Sequence, residues 1–298
     1  MTVAWVFPGQ GSQKKGMSDV VIDFPGARER FEFASELLGR DLLKICEAKD
    51  LNELQPSDIN DTRNTQPALF VVESLIVDEL RKKGQSPSFV AGHSLGEIVA
   101  LYAADVLDME TALRLLKRRS ELMASSSDGA MSAVVGFDRN QLDDLISSTK
   151  GVVIANDNSS SQVVISGTPS AVQSVTSKLT CKRAIPLQVS GAFHSPLMEQ
   201  ASTDFATELD QVSFKTARIP LLSNSDPTPC INGVTLKERL KRQMTTGVRW
   251  RETMEEMVRQ GITTLVEIGP GNVLSGLAKR SLKDVVINQI ASASDLGY

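Results

Sequence analysis

The stretch Gly92-His93-Ser94-Leu95-Gly96 constrains this 298-residue chain more than any other. A short apolar run, Ser88-Phe89-Val90-Ala91, precedes it, and Glu97 to Ala104 reads as a helix after it. A strand that passes at once into a helix must turn sharply, and flanking glycines relieve the crowding at such a turn. The serine at its apex presents its hydroxyl to a cleft. The following helix aims its N-terminal amides and positive dipole end at the same place. The pentapeptide thus predicts an α/β architecture with Ser94 as a nucleophile on a strand-to-helix turn.

The rest of the chain agrees with that architecture. Val3 to Phe7 reads as a first strand that breaks at Pro8-Gly9-Gln10-Gly11, and Thr263 to Ile268 as a late one stopped by Gly269-Pro270-Gly271. Helical patterns lie at Ala27 to Leu38, Ala68 to Lys83 and Val273 to Leu282. Short apolar strands separated by helices predict a parallel sheet covered on both faces. The middle has a different texture. Strand patterns at Ala130 to Gly136, Val152 to Ala155, Gln162 to Ser166 and Ala184 to Val189 enclose helical patterns at Asn140 to Ser148 and Ser170 to Leu179. That βαββαβ order can close a sheet of its own. The expected organisation is a large α/β subdomain, residues 1–128 and 189–298, with a small one, residues 129–188, inserted and a cleft between them.

Composition narrows the function classes. Net charge is −4 without a block of like charges, which argues against a nucleic-acid surface. No apolar run approaches the ~18 residues that span a bilayer, and Met1 to Phe7 lacks the features of a signal peptide. Cys46, Cys181 and Cys230 are odd in number and far apart, so they predict neither a disulfide nor a metal set but free thiols in a reducing compartment. A cytoplasmic protein, acting as a monomer, is expected.

A serine hydroxyl needs a base, and the chain has two histidines. His93 adjoins Ser94 on the turn, where neighbouring side chains diverge, so it is a poor partner. His194, where the chain leaves the small subdomain, is the remaining candidate. Arg119 is the second unusual residue. In Glu110 to Ser125 it falls within about 20° of Ala112, near the centre of an apolar stripe. A guanidinium there needs an anionic partner: a structural carboxylate, or the carboxylate of a substrate. Gly9-Gln10-Gly11-Ser12-Gln13 fails as a dinucleotide fingerprint because Lys14 stands where a third glycine belongs. It is either a plain turn or a loop whose Gln10 amide joins that of Leu95 as an oxyanion donor.

Taken together, Phe7 to Gln13, Thr65-Gln66-Pro67-Ala68-Leu69, Gly92 to Glu97, Arg119, Asn156 through Gly167, Gly191-Ala192-Phe193-His194-Ser195 and Glu267 to Gly271 resemble the malonyl-CoA:acyl-carrier-protein transacylases of fatty-acid synthesis. The resemblance runs over nearly the whole chain. It implies an α/β-hydrolase-like large subdomain with a parallel sheet and a ferredoxin-like small one. It further implies ping-pong transfer through a malonyl-Ser94 ester, with His194 as base and acid and Arg119 on the malonyl carboxylate. Gln243 would orient His194 through its carbonyl, and Phe193 would disfavour an α-methyl branch by roughly 1–3 kcal/mol. Malonyl-CoA and acyl carrier protein are the implied partners, with no cofactor, no metal, no nucleic acid and no membrane. Lys182, Arg183, Lys279 and Arg280 are candidates for docking an acidic carrier, or are merely solvated charges. Ser120 and Ala124 depart from the family's frequent glycine and glutamine. A discrete acyltransferase of a polyketide synthase would use the same residues. A serine hydrolase would share the pentapeptide but has no need of Arg119, and a non-catalytic carrier-binding module would leave Ser94 and His194 unexplained.

Overall fold

A computed structural model describes residues 2–47, 58–126, 129–189 and 191–298. In chain order its strands are β1 (Val3–Phe7), β2 (Phe89–Gly92), β3 (Ala130–Phe137), β4 (Val152–Ser159), β5 (Gln162–Gly167), β6 (Cys181–Pro186), β7 (Leu221–Leu222), β8 (Thr264–Ile268) and β9 (Val286–Ile290). The α-helices are α1 (Ala27–Leu38), α2 (Leu42–Cys46), α3 (Thr62–Lys82), α4 (Gly96–Ala103), α5 (Met109–Ser125), α6 (Arg139–Ser148), α7 (Pro169–Lys178), α8 (Glu199–Asp210), α9 (Gly233–Arg242), α10 (Trp250–Arg259) and α11 (Val273–Ser281).

The large sheet has the order β7-β2-β1-β8-β9 and every pairing in it is parallel. Side chains along β1 alternate between two cores. Trp5 and Phe7 join a cluster with Phe31, Phe70 and Leu95, whereas Ala4 and Val6 join one with Trp250, Met254 and Leu274. Period-two alternation between two apolar layers is what a sheet buried on both faces requires.

The small sheet reads β6-β3-β5-β4 from one edge and is antiparallel throughout. Counted within the βαββαβ unit this is the order 4-1-3-2, the ferredoxin-like arrangement. One face packs Val134, Val163 and Ile165 under α6 and α7, with Leu142 and Val172. The other face sends Met131, Ala155 and Val164 into the main core, which seats the small sheet on the large one.

Three elements differ from the sequence reading. Helix α3 begins at Thr62 instead of Ala68 and runs through Pro67. Proline there removes one N–H, which leaves the carbonyl of Arg63 without its helical donor. Arg40 Nη2 donates to that oxygen at 2.6 Å, so the helix continues. Strand β4 does not stop at Ala155 but extends through Asn156-Asp157-Asn158-Ser159, with register shifts in its pairing to β5. The last strand is Cys181–Pro186, not Ala184 to Val189. It is an exposed edge whose Lys182 and Arg183 hide the strand pattern, since charged edges guard against pairing with other chains. The apolar Leu187 and Val189 have left the sheet to line the cleft.

Cys46, Cys181 and Cys230 are free thiols, and among the described residues no helix is long and apolar enough to cross a membrane.

Candidate active site

Strand β2 ends at Gly92 and α4 begins at Gly96, so the turn between them has three residues. A Cβ on Gly92 would lie 1.8 Å from the carbonyl oxygen of Gly96, and one on Gly96 would lie 2.3 Å from that of Phe7. Only glycine fits at either position. Ser94, at the apex, sits in the left-handed region with φ +55°. A non-glycine residue held there carries roughly 1–3 kcal/mol of strain, which surrounding bonds must oppose. The opposing bonds come from Asn224, after β7. Its Oδ1 accepts from Ser94 N at 2.7 Å, and its Nδ2 donates to Gly92 O at 2.6 Å.

Ser94 Oγ is 2.8 Å from His194 Nε2, and His194 Nδ1 is 2.9 Å from the carbonyl oxygen of Gln243. A carbonyl can only accept, so Nδ1 carries the proton and Nε2 offers its lone pair to the serine hydroxyl. His194 is buried, at φ +57°. Burial, reinforced by the nearby charge of Arg119, pushes its pKa down to about 3. The imidazole is therefore neutral at physiological pH and ready to accept a proton. His93 is engaged elsewhere, with Nε2 2.9 Å from Asn158 Oδ1 on β4 and its ring tilted against Trp250.

Arg119 projects from α5 into this site and is 1% exposed. Nη1 donates to Gln66 Oε1 at 2.7 Å, and Nη2 to Gln243 Oε1 at 2.8 Å and Ser94 Oγ at 3.1 Å. Each of these partners is neutral. The buried Nε has no acceptor among the described residues. Burial lowers the guanidinium's pKa to about 10, so it stays cationic at neutral pH. A second chain of bonds reaches the first loop. Gln66 Nε2 donates to Thr62 Oγ1 at 2.8 Å, and that hydroxyl donates to Gln10 Oε1 at 2.8 Å.

These residues bound a small cleft of about 90 Å³, with Gln10, Leu95, Met131, Asn156 and Phe193 in its wall. A wider space of about 320 Å³ shares Gln10, Val189 and Phe193 with it and adds Thr62, Arg63 and Gln188. Ser94, His194, Arg119, Gln10, Leu95, Phe193 and Gln243 are thus brought together. Lys182, Arg183, Lys279 and Arg280 are not. Lys182 and Arg183 are exposed on β6, and Lys279 and Arg280 are exposed in the last turn of α11. Arg183 pairs with Val135, Val135 with Gln162, and Arg280 Nη2 lies 3.5 Å from Gln162 Oε1. That row is four residues along β3 from Met131 in the cleft wall, or about 13 Å. No group of three metal-binding side chains forms among the described residues.

Four residues at the site escaped the sequence reading as individuals: Gln66, Glu97, Asn158 and Asn224. Gln66 lies in the quoted Thr65 to Leu69 segment, and Glu97 ends the quoted nucleophile segment. The polar tail Asn156-Asp157-Asn158 in a strand context was a readable sign, because a strand turns polar where it meets something other than core. Asn224 carries no local signal.

A parallel α/β sheet carries a strained serine at a strand end, a neutral histidine hydrogen-bonded to its hydroxyl and a buried cationic arginine beside it. Residues 4–297 match the acyl transferase domain family, and the chain belongs to it. It is 47% identical over 296 residues to a malonyl CoA-acyl carrier protein transacylase of Synechocystis sp., covering 99% of each chain. The crystal structure of the Synechocystis sp. malonyl-CoA:ACP transacylase superimposes with a TM-score of 0.95 over 99% of both chains, at 47% identity. A malonyl-transacylase solved in complex with its type II polyketide acyl-carrier protein is also similar, with a TM-score of 0.91 and 35% identity, covering 99% of this chain and 98% of that one.

Proposed function

We propose that the chain transfers malonyl from malonyl-CoA to the phosphopantetheine thiol of an acyl carrier protein. The observation that carries this reading is Arg119: a buried cation beside Ser94 whose hydrogen-bond partners are all neutral. Burying a guanidinium with no anion bonded to it is costly, and the cost makes sense where a carboxylate arrives with the substrate.

In the first half-reaction, Ser94 Oγ attacks the thioester carbonyl carbon as its proton passes to His194 Nε2. The amides of Gln10 and Leu95 stabilise the tetrahedral oxyanion. Within the first turn, Gly96 N and Glu97 N are already spent on His93 O and Ser94 O, which leaves Leu95 N for that task. The C–S bond breaks, coenzyme A takes the proton from His194, and malonyl remains as an ester on Ser94. In the second half, the carrier thiol gives its proton to His194 and attacks the ester, and the proton returns to Ser94. Arg119 holds the malonyl carboxylate through both halves, with Gln66 and Gln243 fixing the guanidinium. The ring of Phe193 crowds the acyl α-carbon. Lys182 and Arg183 on β6 and Lys279 and Arg280 on α11 offer an acidic carrier a basic docking surface.

Brief incubation with malonyl-CoA followed by peptide mass spectrometry tests the reading. One malonyl group on Ser94, discharged by holo carrier protein and slowly by water, is expected. Rapid hydrolysis without transfer, or no labelling, overturns it. Carriers from fatty-acid and polyketide systems, compared side by side, assign the pathway.

A further inference from the structure

Glu97 follows the nucleophile turn immediately and is 1% exposed, yet the steps above give it no task. Its Oε2 accepts from two donors, Gln243 Nε2 at 2.7 Å and Asn224 N at 3.1 Å. Each donor belongs to a different arm of the site. Asn224 clamps the turn on which Ser94 is strained. Gln243 holds His194 with its carbonyl and Arg119 with its side-chain oxygen.

A glutamine amide rotated by half a turn keeps its shape but exchanges donor for acceptor. In that rotated state Gln243 would set its NH2 group against the guanidinium, donor facing donor. The observed orientation is selected at the other end, where Nε2 faces two acceptors, Glu97 Oε2 and Ser94 O at 2.9 Å. A carboxylate bonded to Arg119 directly would also orient it, but would neutralise the charge needed for an incoming carboxylate. The interposed amide passes on orientation and keeps the carboxylate out of hydrogen-bond contact, so Glu97 acts on the guanidinium only through its charge. Burial pushes the Glu97 carboxyl up, while the bonds from Gln243, Asn224 and Ser223 and the charge of Arg119 act against that.

We infer that Glu97 is a positioning residue for acyl transfer, locking the Gln243 amide so that Arg119 stays oriented with no carboxylate bonded to it. The inference rests on the reading that Arg119 binds a carboxylated acyl group. Single-turnover acylation by malonyl-CoA and by acetyl-CoA tests it on Glu97→Gln, Glu97→Met, Gln243→Met and the Glu97→Met/Gln243→Met double variant, with melting temperatures recorded. Glu97→Gln keeps an oxygen for both donors and should stay within about threefold of wild type. Glu97→Met keeps the volume but loses the acceptor. It should raise KM for malonyl-CoA about tenfold and leave KM for acetyl-CoA within about twofold. Because Glu97 acts through Gln243, adding Glu97→Met to Gln243→Met should change malonyl KM by less than about twofold. Wild-type kinetics in Glu97→Met, an equal loss in Glu97→Gln, or additive losses in the double variant each overturn the inference. If Glu97→Met does not fold, the isosteric Glu97→Gln decides alone: a folded variant with impaired malonyl KM overturns the inference. Failure of the underlying reading looks different, because Arg119→Ala would then leave malonyl acylation untouched or lower malonyl and acetyl acylation equally, whatever the Glu97 variants do.

Discussion

Residues that reach the cleft from the parallel sheet are held by main-chain geometry. Ser94 and His194 both sit at positive φ, Asn224 grips the turn through backbone atoms, and a carbonyl oxygen orients the histidine. The antiparallel sheet is tied in by side chains as well as by a backbone bridge between Asn156 and Val248. Asn158 meets His93, and Asp157 is gripped by Arg139 of α6 and by Arg251 of α10. Backbone constraints tolerate little displacement, so they suit atoms that must lie within hydrogen-bond reach in a transition state. Side-chain bonds and apolar contacts suit a wall, whose task is shape. Ser94 and His194 stand on the stiffer half together with Arg119 and Phe193, and the small sheet adds Met131 and Asn156 to the cleft wall.

The sharpest way to break this division is to remove the base. His194→Ala should lower single-turnover acylation by roughly 10⁴–10⁶-fold while leaving the melting curve near wild type. A loss below tenfold would deny the histidine its task. Arg119→Ala comes next. It should cut kcat/KM for malonyl-CoA by about 10²–10³ and leave acetyl-CoA within a few-fold, because a charge-assisted bidentate contact is lost for one substrate alone. Equal losses for both acyl groups would make Arg119 part of the stiff scaffold instead.

The pH dependence bears on the same half. The folded protein holds His194 neutral down to about pH 3, whereas the unfolded chain protonates it near 6.5. Between these values the unfolded state binds the extra proton, so acidification destabilises the fold by up to about 1.4 kcal/mol per pH unit from this group. Glu73 and Glu97, both raised chiefly by burial, act in the opposite sense. Urea titrations of wild type and His194→Gln isolate the histidine: the difference should grow steadily as pH falls from 6.5. Acylation of the free enzyme should show no falling limb near 6.5, and a limb there would contradict a neutral His194.

On the adaptable half, Asp157→Ala leaves Arg139 and Arg251 without their shared partner. With both arginines about one-third exposed, solvent screens them, and a stability loss of about 1–3 kcal/mol with kcat within threefold is expected. A larger effect on kcat than on stability would show that the small sheet positions reacting atoms after all. The smallest effect belongs to the docking surface. Charge reversal at Lys279 and Arg280 should raise the carrier's KM about three- to tenfold, more at low salt, and leave malonyl-CoA acylation unchanged.

Much of the stiff half was legible because its constraints are local. A glycine that cannot carry a Cβ, a strand followed at once by a helix, and an arginine on an apolar stripe all leave marks within a few residues. The adaptable half was legible in order but not in detail. The βαββαβ pattern stood out, whereas the polar end of β4 fell outside its strand pattern and the charged edge strand β6 was shifted to its apolar neighbours. In both elements, function overrode the alternation from which strands are read.

The sequence by itself determined the fold class and the strand-to-helix turn that carries Ser94, and a count of two histidines pointed to His194 as its neighbour. Tertiary structure alone decided how these parts are held. Ser94 meets His194 across 100 residues, while Gln243 binds Ser94 O from 149 residues away and Glu97 Oε2 from 146. Contacts of that span leave no periodicity to read, because they depend on where two strand ends and a helix terminus come to rest in the packed core. Whether Arg119 would face a structural carboxylate or keep its charge for a ligand was therefore open in the sequence. The packed site surrounds it with amide oxygens and sets Glu97 one residue further back.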